Sequence, residues 1–265
     1  MKAGKKRRPG RERILTVESS VIRIEDMSFS YDGEFVLENV ELTIERGDFA
    51  AIVGPNGGGK TTLLKLILGL ITPQKGSVRV FGLSPSEASP RLGYLQQNPH
   101  FDPKFPVTVM DVVLTGRLRR QIVPGFYSRR DREAARAALR EVDLYARRDR
   151  PFSSLSGGQR QRALIARMLA SEPEMLLLDE PLANLDLQAE KELYELLREL
   201  NQRLTVVMVS HDLFFVSRFV NKVVCVKNRV RVHQTGEFSE ESIRELYGES
   251  VQMVRHRHHG EEGSF

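Results

Sequence analysis

One segment constrains the chain more than any other. Gly54-Pro55-Asn56-Gly57-Gly58-Gly59-Lys60-Thr61-Thr62 fits the pattern G-x-x-x-x-G-K-[ST]. It follows the apolar run Phe49–Val53, which reads as a buried strand, and precedes Leu63-Leu64-Lys65-Leu66-Ile67-Leu68, which reads as a helix. Strand, Gly-rich loop and helix in that order make a phosphate cradle. The glycines let backbone N–H groups converge on phosphate oxygens with no Cβ in the way, and the helix N-terminus adds partial positive charge. In such a loop Lys60 reaches the β- and γ-phosphates and the Thr61 hydroxyl ligates Mg²⁺. The competing reading is a Gly-rich turn with no ligand. The motif implies a nucleoside triphosphate site without separating a GTPase, a kinase-like enzyme and a transport ATPase.

The surrounding pattern is that of an α/β chain. Val21-Ile22-Arg23-Ile24 and Val40-Glu41-Leu42-Thr43-Ile44 alternate as strands do, Met175–Leu178 and Thr205–Val209 are short apolar runs, and Leu193, Leu196, Leu197 and Leu200 mark an amphipathic helix. Strands alternating with helices imply a parallel sheet with helices packed on it. After Gln97 the pattern changes. Pro99, Pro103 and Pro106 come first, and then Ala135, Ala138, Leu139 and Val142 fall at helical spacing. Residues 98–165 are therefore expected to form a helical insertion within a domain spanning 21–248.

Charge and cysteine usage narrow the class. The formal net charge is +5, but Lys2, Lys5, Lys6, Arg7, Arg8, Arg11 and Arg13 sit against one acid, Glu12, before residue 14. The basic balance belongs to a tail, residues 1–20, expected to be disordered, so it does not imply a nucleic-acid groove on the body. The tail is a solubilising segment or a contact for anionic lipid. The lone Cys225, in Val223-Val224-Cys225-Val226, excludes a disulfide framework and reads as a buried strand residue. No run approaches the ~18 apolar residues of a membrane span, and no apolar segment follows the basic start as in a secretion signal. A cytoplasmic protein is expected, with any membrane role supplied by a partner.

Further motifs give the loop its context. Leu155-Ser156-Gly157-Gly158-Gln159 offers a hydroxyl and exposed amides at the start of a helix expected over Gln159–Ala170, a second phosphate-binding turn as well as a helix cap. Asp179 and Glu180 end the fully apolar strand, where ionised carboxylates are costly. His211 follows the strand Val206–Val209. With Gln97, and with Tyr31 before an Asp32-Gly33 turn, this set in this order resembles the ATPase subunits of ABC transporters, whose LSGGQ signature other P-loop families lack. The resemblance covers about residues 21–248.

The resemblance implies an α/β fold, a P-loop NTPase (RecA-like) ABC ATPase core with an antiparallel β subdomain and an inserted helical subdomain. It implies ATP and Mg²⁺ as cofactors. ATP would be held by Tyr31, stacked on adenine, and by Gly54, Pro55, Asn56, Gly57, Gly58, Gly59, Lys60, Thr61 and Thr62. Mg²⁺ would be held by Thr61, Gln97 and Asp179. Glu180 would activate the attacking water, helped by His211, Gln97 and Lys60. The family often has Pro before the acting glutamine. Here Gln96 stands there, and the spacing to Phe105-Pro106 favours Gln97. Asp186 matches the loop that crosses between subunits, and also fits a helix N-cap. Ser156, Gly157, Gly158 and Gln159 would close over the ATP of a second subunit. The implied partners are a second copy in a homodimer, an integral membrane permease and, indirectly, an extracytoplasmic substrate-binding protein, with no nucleic acid. The implied location is the cytoplasmic face of the membrane, peripherally.

For the substrate, the stretch from Phe101 to Arg117 looks like the same region of zinc and manganese uptake cassettes, with a D-x-x-F-P-x-T-V-x-D-V-V-x-x-G-R pattern. This favours import of a divalent metal ion (zinc, manganese or iron). Siderophore or haem import is the runner-up, and a soluble non-transport ABC ATPase the third reading. His256, His258 and His259 could ligate a metal, although short His-rich tails are often incidental. Residues 249–265 are expected to be a flexible polar tail.

Overall fold

The computed structural model describes residues 19–97, 105–120, 126–211 and 219–235. The basic tail through residue 18, the stretch Phe101–Lys104 and the histidines His256, His258 and His259 lie outside them. Strands are β1 (Ser20–Tyr31), β2 (Glu34–Glu45), β3 (Phe49–Val53), β4 (Lys75–Val80), β5 (Leu92–Leu95), β6 (Met175–Asp179), β7 (Thr205–Val209), β8 (Lys222–Lys227) and β9 (Arg229–Gln234). Helices are α1 (Lys60–Ile67), α2 (Pro85–Ala88), α3 (Val109–Leu114), α4 (Arg129–Glu141), α5 (Gly157–Ala170) and α6 (Leu187–Asn201).

Two sheets form. An antiparallel sheet has the order β2-β1-β4, and a six-stranded sheet the order β5-β6-β7-β3-β8-β9. In the latter, neighbours from β5 to β8 pair parallel, and β9 closes the edge antiparallel to β8. The β1–β2 hairpin turns at Asp32 and Gly33, whose φ values of 48° and 86° are both positive. That suits a tight primed turn, for which Asp-Gly is a preferred pair.

The apolar runs explain the layering. Side chains alternate across a strand, and a parallel strand is apolar throughout because both its faces are covered. Phe49, Ala51 and Val53 of β3 join Leu176, Leu178, Val206 and Met208 in a core shared with α3–α6. Ala50 and Ile52 face the other way, into a core shared with Leu63, Leu64, Leu66 and Ile67 of α1 and the antiparallel sheet. Ala135, Ala138, Leu139 and Val142 are buried as their spacing predicts.

Between β5 and β6 the described residues form helices, 3-10 turns and an isolated bridge between Thr108 and Pro151, with no strand, and α5 runs unbroken to Ala170. A buried ion pair ties them together. Arg117 is 2% exposed; its Nε donates to Asp131 Oδ1 at 2.9 Å and its Nη1 to Ala170 O at 2.8 Å. The turn after α3, the first turn of α4 and the end of α5 thus meet on one guanidinium. Beside it, a Cβ on Gly116 would lie 1.9 Å from Arg167 O, so no side chain fits there. Gly116-Arg117 therefore has a packing reason of its own, independent of any substrate. No helix among the described residues is long and apolar enough to cross a membrane.

The Ser128 hydroxyl and the Arg117 guanidinium hold the Asp131 carboxyl down at about 2, from an ordinary 3.8. A depressed carboxylate stabilises the fold above its unfolded pKa, and the gain is lost as pH falls through the folded value. Asp131→Asn leaves Arg117 charged and buried and is expected to cost about 3 kcal/mol at pH 7. Chemical denaturation from pH 7 to pH 2 should show the difference from wild type shrinking below about pH 4. A difference independent of pH would contradict the assignment.

Candidate functional site

In a parallel sheet all carboxyl ends lie on one edge, and open α/β sheets bind ligands there. Leu95 pairs with Leu178, Asp179 with Val209, and Ile52 also with Val209, so β5, β6, β7 and β3 end side by side. The residues that follow them are Gln97, Glu180, His211 and the loop 54–59. Residues spread over more than 150 positions of sequence are thus brought to one line along the sheet edge.

Their contacts are direct. Gln97 Nε2 donates to Glu180 Oε2 at 2.5 Å, and His211 Nε2 meets Glu180 Oε1. Gln97, and not Gln96, is thus the glutamine against the acid. Glu180 has φ +50°, a left-handed conformation uncommon outside glycine. Such backbone strain concentrates at functional sites. Asp179, one residue earlier, is 4% exposed. Burial first, then the neighbouring Glu180, push its carboxyl pKa up, while Lys60 pulls it down. Lys60 is buried too, and desolvation lowers its pKa against the opposing pull of Glu180 and Asp179. Its Nζ donates to Gly54 O at 2.9 Å and Pro55 O at 3.0 Å, which places the ammonium across the mouth of its own loop. A cavity of about 150 Å³ opens beside Glu180, Ser210 and His211, with room for ordered water.

The loop rises from β3 into α1. Asn56, Gly57 and Thr61 are exposed, whereas Gly54, Gly58, Gly59 and Lys60 are buried. At Gly57, with φ +76°, nothing lies within 4 Å of where a Cβ would be, which leaves its face open to a ligand. Thr62 is buried at the base of α1. Tyr31 ends β1, half exposed, with its ring edge-on to Phe29 at 4.8 Å.

The signature lies elsewhere on the surface. Ser156 caps α5, its Oγ accepting from Gln159 N at 3.3 Å while Gln159 Oε1 accepts from Ser156 N at 3.2 Å. This capping box starts the helix at Gly157, two residues before the sequence expectation. A Cβ on Gly158 would lie 2.9 Å from Ala189 Cβ, so the turn packs on the start of α6. Asp186 caps α6, its Oδ1 accepting from Ala189 N at 2.8 Å. Tight turns between Glu180 and Leu185 connect the acid to this cap.

A model of the ABC transporter family matches residues 37–183. The chain belongs to that family. Its activity is ATP hydrolysis, and the nucleotide it binds is ATP. It is 39% identical over 217 residues to the zinc uptake system ATP-binding protein ZurA of Listeria innocua, covering 80% of this chain and 84% of that one. It is 37% identical over 249 residues to the zinc import ATP-binding protein ZnuC of Pseudomonas fluorescens, covering 92% and 89%. Among solved structures, an inward-facing metal-chelate type ABC transporter aligns with TM-score 0.78 at 32% identity, over 86% of this chain and 89% of that one. The expected family and fold class are both borne out.

The geometry separates the two glutamines. Gln97→Ala should lower steady-state ATPase activity at least tenfold by freeing one side of Glu180, whereas Gln96→Ala should stay within about twofold of wild type. The reverse ranking would assign the role to Gln96.

Proposed function

We propose that this chain powers the import of a divalent metal ion, zinc foremost, through a separate membrane permease. It works as a homodimer held peripherally at the cytoplasmic face of the membrane. The observation that carries the catalytic part is the Gln97–Glu180–His211 contact on the sheet edge beside the phosphate loop. The zinc-named relatives, similar over 80% and 92% of the chain, support the substrate.

In this reading Gly54–Thr62 hold the triphosphate, Lys60 meets the β- and γ-phosphates, and Tyr31 stacks on the base. Thr61, Gln97 and Asp179 offer hard oxygen donors, and the buried Asp179 carboxylate has a second acid, Glu180, beside it, a donor set that would suit Mg²⁺. Held there, Mg²⁺ would supply positive charge against the charge that develops on the phosphates during transfer. Glu180 accepts a proton from the attacking water, His211 and Gln97 fix its carboxylate, and His211 faces the γ-phosphate. Ser156–Gln159 present a hydroxyl and helix-start amides outward, which suits the phosphates of ATP on a second copy. Asp186 lies beside that turn. Closure with ATP and release after hydrolysis then make a two-state element biased by ligand.

Phe105, Leu118 and Phe126 are exposed apolar side chains around the helices between β5 and β6. This supports docking of the permease there. The metal-chelate neighbour favours a second reading, import of a chelated metal such as a siderophore or haem.

Glu180→Gln should retain ATP binding and lose about 10²–10⁴-fold in hydrolysis rate. Near-normal turnover would remove Glu180 from the catalytic role. In cells limited for metal, replacing the chain with this variant should selectively lower zinc content, measured beside manganese, iron and cobalt by elemental analysis. A fall in iron alone would favour the chelate reading, and unchanged metals would overturn the metal assignment.

A further inference from the structure

The phosphate loop does not stand on β3 alone. β8 runs parallel beside β3, with Val53 opposite Cys225, and continues past the point where β3 gives way to the loop. Its next carbonyl, Val226 O, lies directly beneath. A Cβ on Gly54 would come within 2.1 Å of that oxygen, and a Cβ on Gly58 within 2.8 Å. Two of the loop's glycines are thus required by the neighbouring backbone, whatever the ligand demands.

Beyond Val226, Asn228 is the residue between the paired Lys227 and Arg229 of the β8–β9 hairpin. Its φ is +55°, and asparagine tolerates that region better than most residues. In this conformation its backbone faces two ways. Asn228 N–H donates to Gly58 O at 3.2 Å, and Asn228 O accepts from Glu38 N–H at 2.7 Å. Its side chain Nδ2 reaches Phe35 O at 3.4 Å. The hairpin tip therefore links β2, the strand after Tyr31, to the second half of the phosphate loop.

We propose that Asn228 is a positioning residue for the phosphate loop, acting through its left-handed backbone on the Gly58–Gly59 peptide. Carbonyl and N–H of a trans peptide point in opposite directions. The bond that draws Gly58 O to Asn228 turns the Gly59 N–H away from the hairpin, and in that orientation it is presented to phosphate. The bond to Glu38 N fixes the same residue to the strand that carries the base-side hairpin, so base and phosphate subsites keep their spacing.

The test is steady-state ATPase kinetics of the purified full chain with Asn228→Gly and Asn228→Val. Glycine keeps the N–H and adopts positive φ freely, whereas a β-branched residue disfavours it. Asn228→Val should raise KM for ATP about tenfold while kcat changes less than about threefold, because a strained residue and a weakened hydrogen bond misplace a binding amide. Asn228→Gly should stay within about twofold on both. Leu139→Ala, a core truncation in α4, serves as the control. It should lower the melting temperature and leave KM unchanged, which separates positioning from general destabilisation. If Asn228→Val does not fold, Asn228→Ala takes its place under the same criteria. An unchanged KM in the strained variant, or an equal rise in Asn228→Gly, would overturn the proposal.

Discussion

Parallel pairing of β5, β6, β7 and β3 is the constraint from which the site follows. Because these strands run the same way and in register, four segments distant in sequence end on one edge of one sheet. No single loop has to carry the chemistry. Each strand end supplies one part, a glutamine, a pair of acids, a histidine and a phosphate cradle, on an apolar scaffold buried from both faces. The rigidity of that scaffold lets Gln97 and His211 grip the two oxygens of Glu180 from opposite sides.

The local cost of this arrangement is concentrated at β6. Asp179 is an acid inside the protein, and Glu180 takes a left-handed conformation immediately after it. Strain and burial of this kind persist only where surrounding structure over-determines them. Here the surroundings are the tight turns to Leu185, the cap at Asp186 and the packing of the signature's Gly158 on Ala189. Glu180, the turns to Asp186 and the Ser156–Gly158 turn thus form one connected stretch of a single chain.

Much of this was legible in the sequence, for physical reasons. A glycine-rich loop between an apolar run and a helix has few alternatives, and the order of Gln97, Ser156, Asp179, Glu180 and His211 carried the resemblance. Less was readable where a residue acts through backbone. β9, with its mixed Arg-Val-Arg-Val pattern, gives only a weak strand signal, and Asn228 looks like an ordinary turn residue. The glycines of the loop were read as making room for phosphate, yet Gly54 and Gly58 also make room for Val226 O. Arg117 was read within a substrate-linked pattern and proves to be a buried tie between three helical segments. Both additional roles come from contacts between segments far apart in sequence, which periodicity cannot register.

The central claim is that one chain carries two half-sites, a phosphate loop and a signature, that complete each other only across two copies. Sedimentation velocity of the Glu180→Gln variant with ATP tests it most directly, since that variant is built to bind without turning over. The account predicts a dimer with ATP, a monomer with ADP, and loss of the ATP-dependent dimer when Ser156→Arg is added. A monomer under saturating ATP, or a dimer indifferent to both nucleotide and Ser156, would contradict it.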